Sequence, residues 1–295
     1  MVHIIDLQFQ NTPNSNAAFL IESSEGPILI ETGPHSTLPT LKAGLAKLGY
    51  QMEDIHHVFL THIHLDHAGA AWAFAEKGAT IYLHPFGEKH MADPTKLYNS
   101  AKMIYKDMME VLWGQLKPIP AQLLKTAVHG EKFVIGDTSL IAWHTPGHAR
   151  HHIAWQIGKH LIAGDVAGCK IGTGSIVAPC PPPDINIEHW NSSIDLIETL
   201  DLEAVYMSHF GKVTNIQPHF KFLRYILQDW ADWMKPHYEK GTDPDKITPE
   251  FVAYVRQQLI DNGTPMEELD AYETANPSYM SVRGLLRYWH KKVMK

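Results

Sequence analysis

The chain has 295 residues, of which 44% are hydrophobic and 19% charged, the balance of a soluble globular protein with a sizeable core. Its formal net charge is −7 and no block of Lys or Arg stands out, which argues against nucleic acid and anionic membrane as partners. Met1 to Phe9 already contain Asp6, and no apolar run approaches the length of a bilayer span, so neither a leader nor a membrane segment is expected and the cytoplasm is the expected compartment. Two cysteines, Cys169 and Cys180, make no disulfide framework, whereas 20 histidines are unusual and hint at metal chemistry.

In chain order, Val2 to Leu7, Ala17 to Glu22 and Pro27 to Glu31 read as strands separated by Asn-, Ser-, Pro- and Gly-rich turns. Leu38 to Leu48 has helical spacing and ends at Gly49, a C-cap residue. An apolar run through Ile55, Val58, Phe59 and Leu60 leads into Thr61-His62-Ile63-His64-Leu65-Asp66-His67, and a helix is expected over Ala68 to Lys77 before a strand at Thr80 to His84. From Gly87 to Pro120 the strand pattern stops. Leu97 to Trp113 reads there as one Met-rich helix, either core or an adaptable cover over a pocket. Hairpins are expected at Lys132 to Thr145 and at Ile153 to Ala163, then a Gly- and Pro-rich loop, an amphipathic helix from Ile187 to Leu200 and a strand from Ala204 to Met207. Beyond Gly211 the pattern is wholly helical. Phe220, Leu223, Ile226, Leu227 and Trp230 form an apolar stripe, a second helix opens with Thr248 as N-cap, and a third starts near Ser278. This divides the chain into 1–212, with an insert at about 87–120, and a helical extension at 213–295 packed on it.

Three histidines and an aspartate within six residues form the densest chemical signal, His62-x-His64-x-Asp66-His67. Neutral imidazole and carboxylate suit zinc and related divalent metals, and a carboxylate at a helix start also suits the dipole. Three more signals follow strands: His148 in Thr145-Pro146-Gly147-His148, Asp165 in Gly164-Asp165, and His209 in Ser208-His209. A lone strand-end histidine is usually a satisfied structural residue. Together with the first stretch, these make five histidines and two aspartates, enough donors for two metal ions.

That motif order resembles the metallo-β-lactamase superfamily of metal-dependent hydrolases, over about Val2 to Lys212. The resemblance implies an α+β fold: a four-layer αβ/βα sandwich of two mixed sheets with helices on both outer faces. It puts His62, His64 and His148 on one metal and Asp66, His67 and His209 on a second, with Asp165 bridging. The cofactors it implies are two divalent ions per chain, zinc first, with iron or manganese as alternatives. Such ions lower the pKa of bound water toward 7, and the resulting hydroxide attacks an electrophilic carbonyl or phosphorus while Asp66 relays its proton. Departures exist as well. Glu31 stands where relatives often carry Asp, and Gly168 stands where quorum-quenching lactonases place a tyrosine. His152 falls where relatives have a small residue or histidine. The basic residues of glyoxalase II relatives have no counterpart.

The expected function is therefore dinuclear hydrolysis of an ester-type bond, in a lactone, ester or thioester. A single-iron persulfide dioxygenase, or a ligand-binding member without turnover, is the alternative. The Met- and Trp-rich segments point to a small-molecule substrate with an apolar portion, contacted by Met103, Met108 and Trp230. A homo-oligomer is compatible with the sequence.

Overall fold

In the computed structural model, which describes residues 1–294, the strands pair into two six-stranded sheets. The first contains β1 (Val2–Asp6), β2 (Ala17–Ile21), β3 (Ile28–Ile30), β4 (His57–Phe59), β5 (Thr80–Leu83) and β6 (Leu124–Thr126), side by side in chain order. Its first three strands are antiparallel and the rest run parallel from β3 onward. The second sheet runs in reverse order, from β12 (Gly211–Val213) and β11 (Ala204–Met207) through β10 (His160–Ile162), β9 (Ile153–Ile157) and β8 (Thr138–His144) to β7 (Lys132–Ile135). It is antiparallel except for the β10–β11 pair. Both sheets are mixed, as expected.

Successive side chains of a strand point to opposite faces, and here both faces are apolar, so each sheet must be covered twice. Phe19, Ile28, Ile30 and Phe59 of the first sheet face Phe133, Trp155 and Tyr206 of the second in a shared central core. Their alternates Leu20, Leu29 and Val58 meet α1 (Leu38–Lys47) and α3 (Ala71–Ala75) outside. On the far side Leu161, Val205 and Met207 pack under α7 (Ile187–Glu198) and α8 (Ile216–Glu239). The layers are thus helix, sheet, sheet, helix. Each fully buried Leu, Ile or Phe contributes about 1.5–3 kcal/mol, so a one-residue register slip, which would exchange the two faces, is strongly disfavoured.

The helical extension does not stand apart. Phe220, Leu223, Leu227 and Trp230 of α8 share one core with the outer face of the second sheet, and α9 (Pro244–Asp261), α10 (Leu269–Ala275) and α11 (Ser278–Val293) enlarge it. No helix among the described residues is long and apolar enough to cross a membrane.

Several elements differ from expectation. The helix expected over Ala68 to Lys77 is two short ones, α2 (Leu65–Ala68) and α3, because the backbone leaves helical geometry at Ala70, φ −100° and ψ 1°, just after Gly69, where a Cβ would lie 2.9 Å from Pro34 Cα. The insert holds α4 (Pro85–Ala92), α5 (Thr95–Tyr105) and α6 (Met109–Trp113) rather than one helix through Trp113. Lys106 at φ 49° breaks the run between α5 and α6. Strands β6 and β12 are three residues each, too short to show periodicity, and α10 was hidden between two turns. Helix α9 opens at Pro244, four residues before the expected cap. The carboxylate of Asp243 accepts the Asp245 N–H at 2.8 Å, a better cap than Thr248, whose hydroxyl donates to Pro244 O.

Candidate metal centre

All seven donors leave strand ends on one edge of the sandwich. His62 and His64 follow β4, Asp66 and His67 lie on α2, and His148 sits in the turn between β8 and β9. Asp165 lies in a 3-10 turn directly after β10, and His209 follows β11. Two glycines make these turns. At Gly147, φ 142°, a Cβ would lie 2.4 Å from Trp190 Cα, so only glycine lets the chain deliver His148 against α7. At Gly164, φ 53°, a Cβ would stand 2.7 Å from Thr61 Oγ1 and 2.9 Å from His152 Nε2, so glycine is what lets Asp165 reach the histidines of the first sheet.

The geometry sorts the donors into trios, His62–His64–His148 and Asp66–His67–His209, with a third grouping of His62, His67 and Asp165 joining them. Nδ1 of His64 lies 2.9 Å from Nε2 of His62 and 3.0 Å from Nε2 of His148. One nitrogen can share a hydrogen with only one of those neighbours, so lone pairs converge unless a cation stands among them. In the other trio, His209 Nε2 is 3.3 Å and His67 Nε2 is 3.4 Å from Asp66 Oδ2. Asp165 faces both groups: Oδ1 is 3.4 Å from His67 Nε2 and 3.6 Å from His209 Nε2, while Oδ2 is 3.4 Å from His148 Nε2. His67 Nε2 and Asp165 Oδ1 are buried without a hydrogen-bond partner among the described residues. Orphaned, converging imidazole and carboxylate atoms are the donor set of a divalent metal, and the residues fit one.

Electrostatics treat the two trios differently. Burial and the neighbouring His148 push His64 down to about 3, and burial likewise lowers His62 and His148, leaving neutral imidazoles with free lone pairs. Burial would also lower His67 and His209, but the Asp165 and Asp66 carboxylates outweigh it and raise both. Burial would raise Asp66 and Asp165 in turn, but the same pairing with His67 and His209 holds both below the usual carboxylate range.

Outer contacts fix the rings. Nδ1–H of His148 donates to Pro179 O at 2.8 Å and that of His209 to Ser15 O at 2.7 Å, which aims each Nε2 lone pair inward. His62 Nδ1 is 3.0 Å from Thr61 Oγ1. Glu31, at φ 66°, turns its carboxylate to accept Thr61 N–H at 3.2 Å and to stand 3.5 Å from His67 Nδ1. That conformation costs a non-glycine residue about 1–2 kcal/mol, offset here by two contacts to the centre. His152 is not among the converging donors. Its Nδ1 meets Thr145 Oγ1 at 2.8 Å beneath the site. His151, unremarked in the sequence, packs its ring 5.6 Å from His64, and burial holds it at about 3.

A cavity of about 400 Å³ opens onto His64, Asp66, His148, Asp165 and His209. Its walls come from the insert, a proline run at Pro181 to Pro183, and the start of α11. Of the three expected substrate contacts, Met103 lines it. Met108 does not: it lies past the break at Lys106 and is half exposed, while Met109 is buried in the insert's own small core. Trp230 is also elsewhere, 1% exposed in the extension's core with its indole donating to Gln258 Oε1 at 2.9 Å. The stripe that suggested a wall is what fastens α8 to the second sheet. At Gly168, φ 82°, a Cβ would lie 2.9 Å from Val177 O, so the tyrosine of the lactonase pattern has no room there. Tyr105 and Trp113, in the segment read as core or cover, line the cavity, as does Tyr279, which carried no sequence signal because only the tertiary fold brings α11 there.

A family model described as the metallo-beta-lactamase superfamily matches residues 11–209. Among curated proteins, "Metallo-beta-lactamase fold-containing protein ST1585" of Sulfurisphaera tokodaii is 27% identical over 167 residues, 55% of this chain and 63% of that protein. An N-acyl homoserine lactonase of a Bacillus species is 27% identical over 135 residues, 38% of this chain and 53% of that enzyme. The matches thus span less than two thirds of these relatives. Among solved structures, the metallo-beta-lactamase family protein TTHA1429 of Thermus thermophilus superimposes with a TM-score of 0.67 at 18% identity, covering 99% of this chain and 94% of that one. The coverage of this chain includes the insert and the helical extension.

Proposed function

This chain belongs to the metallo-beta-lactamase superfamily, and on that premise we propose that it is a dinuclear metal-dependent hydrolase of ester-type bonds in neutral substrates with a hydrocarbon portion. We read 1–212 as the catalytic unit and 213–295 as an extension that helps wall its cavity. The observation that carries the substrate class is the cavity lining. Leu97, Met103, Ile104, Leu112, Trp113 and Met280 supply its surface, and its only aspartates are Asp66 and Asp165; no Lys or Arg of the described residues lines it. A phosphodiester or a carboxylate-bearing substrate would meet no cation there beyond the metals, and phosphate recognition draws on Lys and Arg. A neutral acyl group is matched instead by burial worth about 25 cal/mol per Å² of apolar surface.

Two divalent ions, zinc first, would be held by His62, His64 and His148 and by Asp66, His67 and His209, with Asp165 shared, and would supply Lewis acidity and water of lowered pKa. Asp165 keeps the two groups in register through its two oxygens. Asp66 is the more exposed of the two carboxylates, its side chain 24% accessible against 3% for Asp165, so it is the one placed to accept and pass a proton at the cavity floor. The ring contacts to Pro179 O and Ser15 O fix His148 and His209 without reorganisation. Two complete trios favour this reading over the single-iron dioxygenase, which leaves Asp66, His67 and His209 without a role.

The test is a comparison on one metal-loaded preparation: kcat/KM for neutral acyl esters, thioesters and lactones of graded chain length against bis-aryl phosphodiesters. Acyl substrates are expected to win, with activity lost on chelation and in Asp66→Ala. A phosphodiester advantage above about tenfold, or about 1.4 kcal/mol of transition-state preference, would overturn the assignment.

A further inference from the structure

Helix α2 carries two of the seven donors, Asp66 and His67, on a single turn of four residues. A helix that short cannot hold itself, because its carbonyls lie beyond the reach of its own N–H groups. A longer helix would pair Asp66 O with the N–H of Ala70, but that group donates to Gly33 O at 3.0 Å. Asp66 O takes its hydrogen from outside instead: Asn16 Nδ2, 50 residues away in sequence, donates to it at 2.6 Å. His67 O is held in the same way by the N–H and the hydroxyl of Thr32, each at 2.9 Å.

Asn16 lies between two further fastenings of that side of the centre. Ser15 O takes the His209 Nδ1–H at 2.7 Å, and Ala17 N–H donates to Ser208 O at 2.8 Å. The rings of the other trio are fixed elsewhere, His62 at Thr61 and His148 at Pro179. The loop that delivers residues 15–17 is strained. Gln8, Gln10, Asn11 and Asn14 have φ between 49° and 59°, each unfavourable for a residue with a Cβ. The Asp6 carboxylate pins both ends, accepting Gln8 N–H and Asn14 N–H at 3.0 Å each. Such conformations persist where the surrounding structure forces the chain to one place. Asn16 itself is 1% exposed, and its Oδ1 is buried without a partner among the described residues. An unpaired buried acceptor is destabilising, so the bond to Asp66 is what this amide contributes.

We infer that Asn16 is a positioning residue of the metal centre: its amide holds the turn of Asp66 and His67 in place beside His209, so that the second ion is bound tightly. The His62–His64–His148 side does not depend on it. The inference rests on the dinuclear reading, but binding of the metal can be followed without turnover.

Zinc is titrated into the metal-free wild type and into Asn16→Leu against a chelating dye, with urea unfolding of both metal-free chains and ester kinetics alongside. The urea midpoint is expected to move little, because one unpaired acceptor, Asn16 Oδ1, is exchanged for another, Asp66 O. The first ion should bind as in the wild type, and the Kd of the second should rise about 10–100-fold, the scale of losing a group that orients a metal ligand. In kinetics, kcat should fall at limiting zinc and recover as zinc is raised, with KM unchanged. If Asn16→Leu does not fold, Asn16→Ala removes the same donor without filling the space. If neither folds, Asn16 is a core residue and the inference is overturned. Equal weakening of both ions, or a second ion held as tightly as in the wild type, overturns it too. If the ions behave as expected and no ester is cleaved, the hydrolase reading fails and this inference stands. If esters are cleaved and Asn16→Leu binds zinc like the wild type, the reverse holds. A wild type that takes up a single ion overturns both.

Discussion

The centre and the cavity above it are built on opposite principles. Every donor of the centre leaves a strand end or the helix after it, and His62, His67, His148, Asp165 and His209 are each exposed by 2% or less. The wall is assembled from segments far apart in sequence, and its side chains include Met103 at 75% and Ile104 at 37% exposure. Metal chemistry requires donors held to a fraction of an ångström, which strands packed on both faces provide. Recognition of a hydrocarbon, as proposed for this cavity, would require area rather than direction, and short helices broken at Lys106 and Gly114 offer it. The first region should therefore answer to single-atom changes and the second should not.

The largest expected effect tests the first half of that contrast. Asp165→Ala removes the carboxylate whose two oxygens face both trios, so metal content should fall below one ion per chain and kcat/KM by about 10²–10³, the scale of losing an electrostatic element of an active site. His209→Ala should mainly empty the Asp66–His67 side and leave the His62–His64–His148 side loaded. Metal analysis after dialysis, beside kinetics, decides it: equal metal loss in both variants would mean that Asp165 holds one side only and that the centre is not shared.

How much of this was legible follows the same division. The convergence of the candidate donors could be read because His62 to His67 are near neighbours in sequence and because His148, Asp165 and His209 each follow a strand with a glycine nearby. The sandwich could be expected because the order of those motifs resembles a family with that fold, and the structure has it. The wall could not. An apolar stripe such as Phe220 to Trp230 looks the same whether it faces a ligand or a sheet, and here the sheet takes it. Nothing local distinguishes Met103, which lines the cavity, from Met109, buried just beyond the break at Lys106. Tyr105 and Tyr279 come to one cavity through tertiary structure, and the reversed order of the second sheet is tertiary too, whereas the cap at Asp243 is a local contact that the Thr248 reading passed over.

A middle-sized effect tests whether the extension is coupled to the centre. His219 of α8 is buried, and its Nε2–H donates to Ala167 O at 2.7 Å, in the turn that carries Asp165. Burial pushes it down to about 4 from its usual 6.5. The unfolded chain therefore binds the extra proton first, so the stability this residue contributes is complete above about pH 6.5 and is lost as pH falls toward 4. The shift corresponds to a loss on the order of 3 kcal/mol across that window. His219→Gln keeps an N–H for Ala167 but cannot titrate. Urea unfolding at pH 7, 5.5 and 4.5 should show the wild type losing ground to the variant as pH falls. Parallel curves would mean that the proton enters without disturbing α8, and the coupling would have to be sought elsewhere.

The smallest effect is the one the wall predicts for itself. Met103 and Met108 are five residues apart on the same insert, both exposed, but only Met103 lines the cavity. If the wall contributes area alone, Met103→Ala should raise KM for long acyl chains about two- to fourfold, within the about 0.8 kcal/mol of a single buried methylene, because most of that side chain is in water before the ligand arrives. The loss should grow with chain length and vanish for an acetyl ester, which has no hydrocarbon chain to lie against Met103. kcat should hold, since the contact is made equally in ground and transition states. Met108→Ala should leave the whole series unchanged, as its side chain lies beyond the turn at Lys106. Measuring both variants over one ester series separates area from shape. A fall in kcat at every chain length in Met103→Ala would show the insert setting the geometry of the centre itself, and the division between a rigid floor and an accommodating wall would not survive it.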